Sequence, residues 1–302
     1  MSIHPTADFS GYAFATAPLD RADALRDDPA ALAAHWPNAR VLVLDADGTA
    51  FADGAGQPFA LTGGELGGGP GTAIFLGLDA GQAVFVIEAG ALTVRAPQRV
   101  DLRQAALSWP AADAAVFCYA RGMSYWHSRN RYCGVCGGAV AFRRGGFIGQ
   151  CGQCATEHYP RVDPAVIVAV ENRGRLLLGR QPNWAPRRYS VLAGFVEPGE
   201  TFEQTVAREV FEESRVRVRQ AHYLGTQPWP FPGALMVGFR ATAEDDVPVV
   251  DGELEDARWF SAGDVEAALR REHEDDGEGI LMPPRISIAR SLIIDWLRRQ
   301  RG

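Results

Sequence analysis

The 302-residue sequence is poor in several things, and each shortage narrows what the chain can be. No apolar run reaches the roughly 20 residues of a membrane-spanning helix, so no such span is expected. The opening MSIHPTADFSGYAF lacks a basic stretch followed by an apolar one, so no secretory signal is read there. Positive charge is not in excess: 30 Lys plus Arg against 37 Asp plus Glu leave a net charge of −7. That balance argues against non-specific binding to nucleic acid or to an anionic membrane. Repeats and low-complexity tracts are missing. Cysteine is scarce, with five residues, Cys118, Cys133, Cys136, Cys151 and Cys154. Four of them stand in two tight pairs, which suits a metal site in a reducing compartment better than a disulfide framework. A cytoplasmic location is therefore expected. What is present, 47% hydrophobic and 22% charged residues, is ordinary for a soluble globular protein, and the length allows two or three domains.

Four regions follow from the pattern along the chain. Residues 1–108 are rich in Ala and Gly, with β-like runs such as RVLVLDADG and QAVFVIEAGALTVRA between turn signals, and an antiparallel α+β domain is expected. GELGGGPG (64–71) lacks the Gly-Lys-Ser/Thr ending of a phosphate loop and reads as a mobile turn. Residues 109–130 form a helical linker, in which Cys118 sits among apolar residues as a buried structural thiol. Residues 131–160 hold the cysteine pairs. Residues 161–302 read as α/β. A hairpin turns at Asn172–Gly174, SVLAGFVEPGE reads as a loop, and further strands fall in AHYLGTQPW, ALMVGFRATA and DARWF. Ser261 and Asp264 can cap a helix at 262–270, REHEDDGEGI (271–280) reads as a solvated loop, and apolar spacing from Arg285 to Arg299 predicts a closing helix.

Cys133-Gly-Val-Cys136 and Cys151-Gly-Gln-Cys154 each form a knuckle, and two knuckles complete a tetrahedron of thiolates, which selects zinc. Gly134 and Gly152 suit the sharp turns. With four cysteines no position is left for a reacting water, so the zinc is expected to be structural.

AREVFEESRV (207–216) carries Glu209, Glu212 and Glu213 with no lysine among them. Thr201 and Gln204 form a capping box ahead of it, and Phe202, Val206 and Val210 make an apolar stripe. Arg208 can pair with Glu212 at i, i+4. Carboxylates on one helix face repel unless a cation neutralises them, and this oxygen-rich cluster suits Mg²⁺ or Mn²⁺. TQPWPFPGALM (226–236) alternates prolines and aromatics and reads as a stiff loop that displays rings.

Gly194, Glu200, Arg208-Glu209-Val210-Phe211-Glu212-Glu213 and Val216 together resemble the Nudix box, with Arg215 in place of the final glycine. QPWPFP resembles the motif of NADH pyrophosphatases of the NudC type, with Thr226 and Ala234 where that motif has serines. The resemblance implies an α+β fold of three parts: an N-terminal Nudix-like α+β domain, a small zinc ribbon, and a C-terminal Nudix α/β/α sandwich with a mixed sheet. It implies metal-dependent hydrolysis of the pyrophosphate bond of NADH or NAD⁺ to AMP and nicotinamide mononucleotide. Removal of NAD caps from RNA by the same chemistry, or a non-catalytic nucleotide sensor, are the alternatives. Glu209, Glu212 and Glu213 then carry catalysis, and Ala193 (through its carbonyl), Glu209, Glu213 and Glu253 hold Mg²⁺ or Mn²⁺. Substrate contacts are implied at Arg103, Tyr159, Phe195, Gln227, Pro228, Trp229, Pro230, Phe231, Pro232, Gly233, Ala234 and Ala289. A glutamate contact of the family falls on Gly146 and is missing. The family's homodimer is expected, with no membrane partner.

Overall fold

A computed structural model describes residues 9–16, 19–250, 252–271 and 277–301. The chain divides into two compact units. One comprises Met1–Ala13, Asp163–Pro228 and Ala234–Gly302 and is called the glutamate unit. The other, Phe14–Val162 with Trp229–Gly233, is the cysteine unit.

In the cysteine unit, six strands form one sheet: β1 (Arg40–Leu44), β2 (Ala50–Ala52), β3 (Ala60–Thr62), β4 (Ile74–Asp79), β5 (Gln82–Glu88) and β6 (Gln98–Val100). The order is β4-β5-β1-β2-β6, with β3 also on β1. The helices are α1 (Pro29–His35), α2 (Gly63–Leu66), α3 (Leu102–Ser108) and α4 (Ala111–Arg129). The expectation of an antiparallel domain is corrected here, because β1 and β5 run parallel with Val41 opposite Phe85. Both strands bury unbroken apolar runs, Val41–Leu44 and Ala83–Val86, as parallel strands covered on both faces do. GELGGGPG is also corrected. Its first residues form the one-turn α2, capped reciprocally by Thr62 and Glu65, and only the stretch after Leu66 turns. Helix α4 spans the expected linker and buries Phe117, Cys118, Met123 and Trp126. The cysteine module adds three antiparallel strands, β7 (Val140–Arg143), β8 (Ile148–Cys151) and β9 (Glu157–His158).

The glutamate unit holds β10 (Asp163–Asn172), β11 (Arg175–Arg180), β12 (Leu192–Phe195), β13 (Val218–Trp229), β14 (Ala234–Ala243) and β15 (Asp256–Ser261). Helices α5 (Phe202–Ser214), α6 (Ala262–Arg270) and α7 (Ile288–Gln300) accompany them. The sheet order is β13-β14-β10-β11-β15, with β12 on β10 and β10 parallel to β14. This is the pairing scheme of the first sheet repeated strand for strand. The sequence reading found no repeat because the two copies share topology and not residues.

The hairpin turns where expected. Asn172 faces Arg175, and Arg173 and Gly174 both take positive φ (48° and 69°), the two-residue turn whose twist suits a hairpin. SVLAGFVEPGE is corrected from loop to strand over Leu192–Phe195, which pairs with β10 at Val166↔Gly194. The Pro-Gly that ends it made the whole stretch look irregular. The proline-aromatic loop is shorter than expected. Strand β13 runs through Pro228 to Trp229, which the sheet tolerates because β13 is an edge strand and Pro can leave its donor side unpaired. Only 230–233 turn. The closing helix starts at Ile288, later than Arg285, because Ser287 caps it through the Ala289 amide. Residues 272–276 of the acidic stretch 271–280 lie outside the described residues.

Candidate active site

The glutamate helix α5 begins as its sequence dictates. Thr201 and Gln204 cap each other, and Val206 and Val210 are fully buried against β10 and β14 residues. That packing fixes the helix rotation, so the opposite side carries the carboxylates. At its centre is Arg208, whose five donors are all used. Nε and Nη2 take the two oxygens of Glu200 at 2.6 and 2.8 Å, and Nη2 also meets the Phe195 carbonyl at 2.9 Å. Nη1 holds Glu209 at 2.9 Å and Glu212 at 3.0 Å. Glu200 further accepts from Thr205 Oγ1 and the Glu197 amide. The Arg208 guanidinium therefore holds the Glu200 carboxyl down at about 2. The sequence reading foresaw the Arg208–Glu212 pair and missed the Glu200 fork, which spans eight residues and shows only once the loop closes.

Glu213 differs from its neighbours. Its residue is 4% exposed and its Oε2 has no hydrogen-bond partner. Burial, then the charges of Glu253 and Glu209, push its carboxyl up to about 8, against a hydrogen bond from the Ala193 backbone. Burial also raises Glu209, and Arg208 opposes that rise. Gly194 makes room for this arrangement, since a Cβ there would fall 1.8 Å from the Glu209 carboxyl carbon. Glu253 is exposed and completes the acidic group as a charge felt by both. Of Glu209, Glu212 and Glu213, Glu212 is the most open, with a side chain 55% exposed. The glutamates share one face, but among the described residues only the four cysteines bring ligand atoms to metal-binding spacing. Repulsion and the Arg208 hydrogen bonds hold the carboxylates apart. The hard oxygen donors and the unpartnered Glu213 oxygen fit a divalent cation.

Helix α5 ends on Arg215, which takes the left-handed conformation (φ 59°, ψ 13°) that the family's glycine would adopt freely.

The cysteine module fits zinc. All four Sγ atoms lie within 4.8 Å of one another, with Cys133–Cys154 at 3.7 Å and Cys136–Cys151 at 3.4 Å. A tetrahedron with zinc–sulfur bonds of about 2.3 Å has edges of roughly 3.8 Å. The amides of Val135, Gln153 and Cys154 and the His158 ring point at the sulfurs, as donors to thiolates do. Left-handed turn positions fall at Gly137 and Ala155, after the second cysteine of each pair, and not at Gly134 and Gly152 as expected.

The remaining substrate candidates separate. Phe195 stands in the glutamate unit beside the carboxylates and is 59% exposed as a residue. Gln227 is corrected as a side-chain contact. It is fully buried, donates to the Ala13 and Ile286 carbonyls and accepts from the Ile288 amide, so both its donors are used inside the protein and its side chain is closed to solvent. It ties the N-terminal segment and the start of α7 to β13, a role invisible in sequence because its partners lie 214 and 59 residues away. Phe9 and Tyr12 pack beside it over Gly225. The Ala289 side chain is buried in α7. Pro228 and Ala234 flank the turn on β13 and β14. Arg103, Tyr159, Trp229, Pro230, Phe231, Pro232 and Gly233 belong to the cysteine unit. There the Trp229 and Phe231 rings meet edge to face, Arg103 lies 3.8 Å over the Phe231 ring, and Tyr159 is exposed. Gly146, at the family's glutamate position, accepts from the His127 ring.

Residues 161–280 match the NUDIX domain family, 128–159 the NADH pyrophosphatase zinc ribbon domain, and 20–126 the NADH pyrophosphatase-like rudimentary NUDIX domain. An NAD-capped RNA hydrolase NudC of Mycobacterium bovis is 38% identical over 288 residues, 92% of each chain. The chain is a Nudix hydrolase of the NudC family. Another NudC, from Stutzerimonas stutzeri, is 43% identical over 61% of this chain and 62% of its own. The NAD-capped RNA hydrolase NUDT12 of Macaca fascicularis is 40% identical over 62% of this chain and 42% of its own. The rudimentary domain accounts for the repeated sheet, and the ribbon supports structural zinc at the four cysteines. Among the described residues no helix is long and apolar enough to cross a membrane.

Proposed function

We propose that this Nudix hydrolase cleaves the pyrophosphate bond of NADH and NAD⁺ to AMP and nicotinamide mononucleotide, and cleaves the same bond in NAD-capped RNA. The observation that carries the reading is Glu213, a buried carboxylate with a free oxygen, raised by its burial and then by the charges of Glu253 and Glu209. Such a group is expensive unless a cation arrives. Glu209, Glu213, Glu253 and the Ala193 carbonyl would hold Mg²⁺ or Mn²⁺, with Glu212 beside them. When bound, the cation supplies charge neutralisation for the pyrophosphate and Lewis acidity toward water. The chain does the rest. Arg208 splays Glu200, Glu209 and Glu212 so that they cannot collapse onto one another. Gly194 keeps the Glu209 carboxylate close to β12. Glu213 holds a proton near neutral pH and gives it up as the site loads. In the glutamate unit the exposed ring of Phe195 offers a face for adenine or nicotinamide, a stack contributing roughly 1–3 kcal/mol.

The RNA reading is favoured by the names of the relatives, which are 37–43% identical. A homodimer and a cytoplasmic setting complete the proposal. The first rests on the family resemblance, and the second on four cysteines that suit zinc. Purified protein with Mn²⁺ or Mg²⁺ is incubated with NADH, NAD⁺, ADP-ribose, diadenosine polyphosphates and NAD-capped RNA, and products are resolved chromatographically. AMP from NADH and a 5′-monophosphate on the RNA are expected. Wild-type protein that releases neither would sink the reading, and light scattering decides the dimer.

A further inference from the structure

Two guanidinium groups of the cysteine unit share one phenyl ring. Arg103, on α3, lies 3.8 Å over the centroid of Phe231, and Arg121, on α4, lies 4.9 Å from it. Neither arginine makes an ion pair among the described residues. Arg121 is half-buried, and its Nη1 is shielded from solvent without a hydrogen-bond partner. Its backbone surroundings are tight, since a Cβ on Gly48 would come within 2.8 Å of its Nε. Burial, and then the charge of Arg103, destabilise its cation, while Asp101 and Asp47 act only at a distance. Both aspartates are occupied elsewhere. Asp101 caps α3 through the Arg103 and Gln104 amides, and Asp47 accepts from Thr49. Two like charges held side by side over an uncharged ring, with unused donors, form a receptor waiting for an anion. Arg121 also opens onto a cavity of about 1230 Å³ in the same unit. Ser124, Tyr125 and Ser128 continue its wall along α4, and Arg131 follows just beyond the helix end. The spacing 121, 124, 125, 128 makes this one polar helix face.

We propose that Arg121 joins Arg103 as a phosphate clamp across Phe231, and that its ligand is a phosphate ester of the substrate. The assignment rests on the proposed activity only for the name of the ligand. Phosphate esters can come from two sources. One is the dinucleotide itself. The other is the first phosphodiester of an RNA body behind an NAD cap, for which the polar face of α4 offers a continuation. Guanidinium groups suit either, because their planar donors match phosphate oxygens in pairs.

The test uses the full-length zinc-loaded protein and two variants, Arg121→Met, which keeps the stem without the charge, and Arg121→Lys, which restores the charge. Inorganic phosphate is titrated into each without Mg²⁺ or Mn²⁺ and followed by NMR, and KM and kcat are measured for NADH and NAD-capped RNA. Arg121→Met is expected to weaken phosphate binding and raise KM about tenfold, with kcat unchanged and the melting temperature not lowered, and Arg121→Lys to recover part of the loss. A KM rise on both substrates assigns the clamp to the dinucleotide, and a rise on capped RNA alone assigns it to the RNA body. Unchanged KM and phosphate affinity overturn the proposal. So does a fall in kcat and melting temperature that lysine does not rescue, which would make Arg121 a packing residue. Should the wild type cleave neither substrate, the activity reading fails and the phosphate titration still decides this one.

Discussion

Replacing Glu213 by Gln should stabilise the metal-free protein while abolishing turnover, and the pH dependence of that gain tests the account of the site. The side chain is 4% exposed with Oε2 unpartnered, and its carboxyl is raised from an ordinary 4.5 to about 8 by burial, then by Glu253 and Glu209. Because the folded-state value is the raised one, Glu213 costs nothing below pH 4.5, where it is protonated folded or unfolded. The cost grows as pH rises, since the unfolded chain ionises and the folded one does not. It levels off above pH 8, where both are charged. At 1.36 kcal/mol per pH unit, the penalty at pH 7 is about 3 kcal/mol. Gln has the same shape and never ionises, so Glu213→Gln removes this penalty. Urea unfolding of the glutamate unit is followed from pH 4.5 to 8.5 in buffer free of Mg²⁺ and Mn²⁺, without chelator so that the ribbon keeps its zinc. The variant should gain about 3 kcal/mol at pH 7 and nothing at pH 4.5, and Mn²⁺ should stabilise only the wild type. A variant less stable than wild type at pH 7, or a gain that persists at pH 4.5, would refute the reasoning.

The same proton makes Mn²⁺ affinity of the wild type rise with pH up to about 8, by at most tenfold per unit, which calorimetry in buffers of different ionisation enthalpy reads as proton release. Arg215→Gly removes a left-handed arginine and should add about 1 kcal/mol of stability, leaving Mn²⁺ affinity unchanged. A large affinity loss would mean that Arg215 has been misplaced. Gly194→Ala drives a methyl into the Glu209 carboxyl and should lower kcat/KM by about 100-fold with the fold retained by circular dichroism. Arg208→Lys cannot replace five bonded donors with three, so it should lose activity nearly as fully as Arg208→Ala in the same assay.

Much of the site was legible because it is local. The capping box, the i, i+4 Arg208–Glu212 pair and the cysteine knuckles all close within a few residues, so spacing alone positions them. Strand β12 was read as a loop because Pro198 and Gly199 end it, although its pairing with β10 is set by residues almost 30 positions earlier. Gln227 looked like part of a ligand loop because it stands in QPWPFP, yet its three bonds reach Ala13, Ile286 and Ile288. The parallel β1–β5 pair, with other strands between them in sequence, could not be told from an antiparallel one by alternation, since both strands are apolar throughout.

The repeated sheet shows what sets the acidic helix apart. Each copy has the same strand order, the same parallel pair and a helix as the next element after the short strand that joins the central one. In the cysteine unit that helix is α2, four residues long, and its one carboxylate, Glu65, is spent on capping Thr62. In the glutamate unit it is α5, thirteen residues long. At about 1.5 Å rise per residue, the longer helix sets Glu209 and Glu213 one turn apart on a single face, roughly 6 Å along the axis. It also places Arg208 to hold their neighbours and reaches far enough past the cap to bury Glu213. The sheet is therefore a frame that both copies keep. The acidic cluster proposed to react is made by the extra turns of one helix, together with the missing side chain at Gly194 that lets β12 approach it.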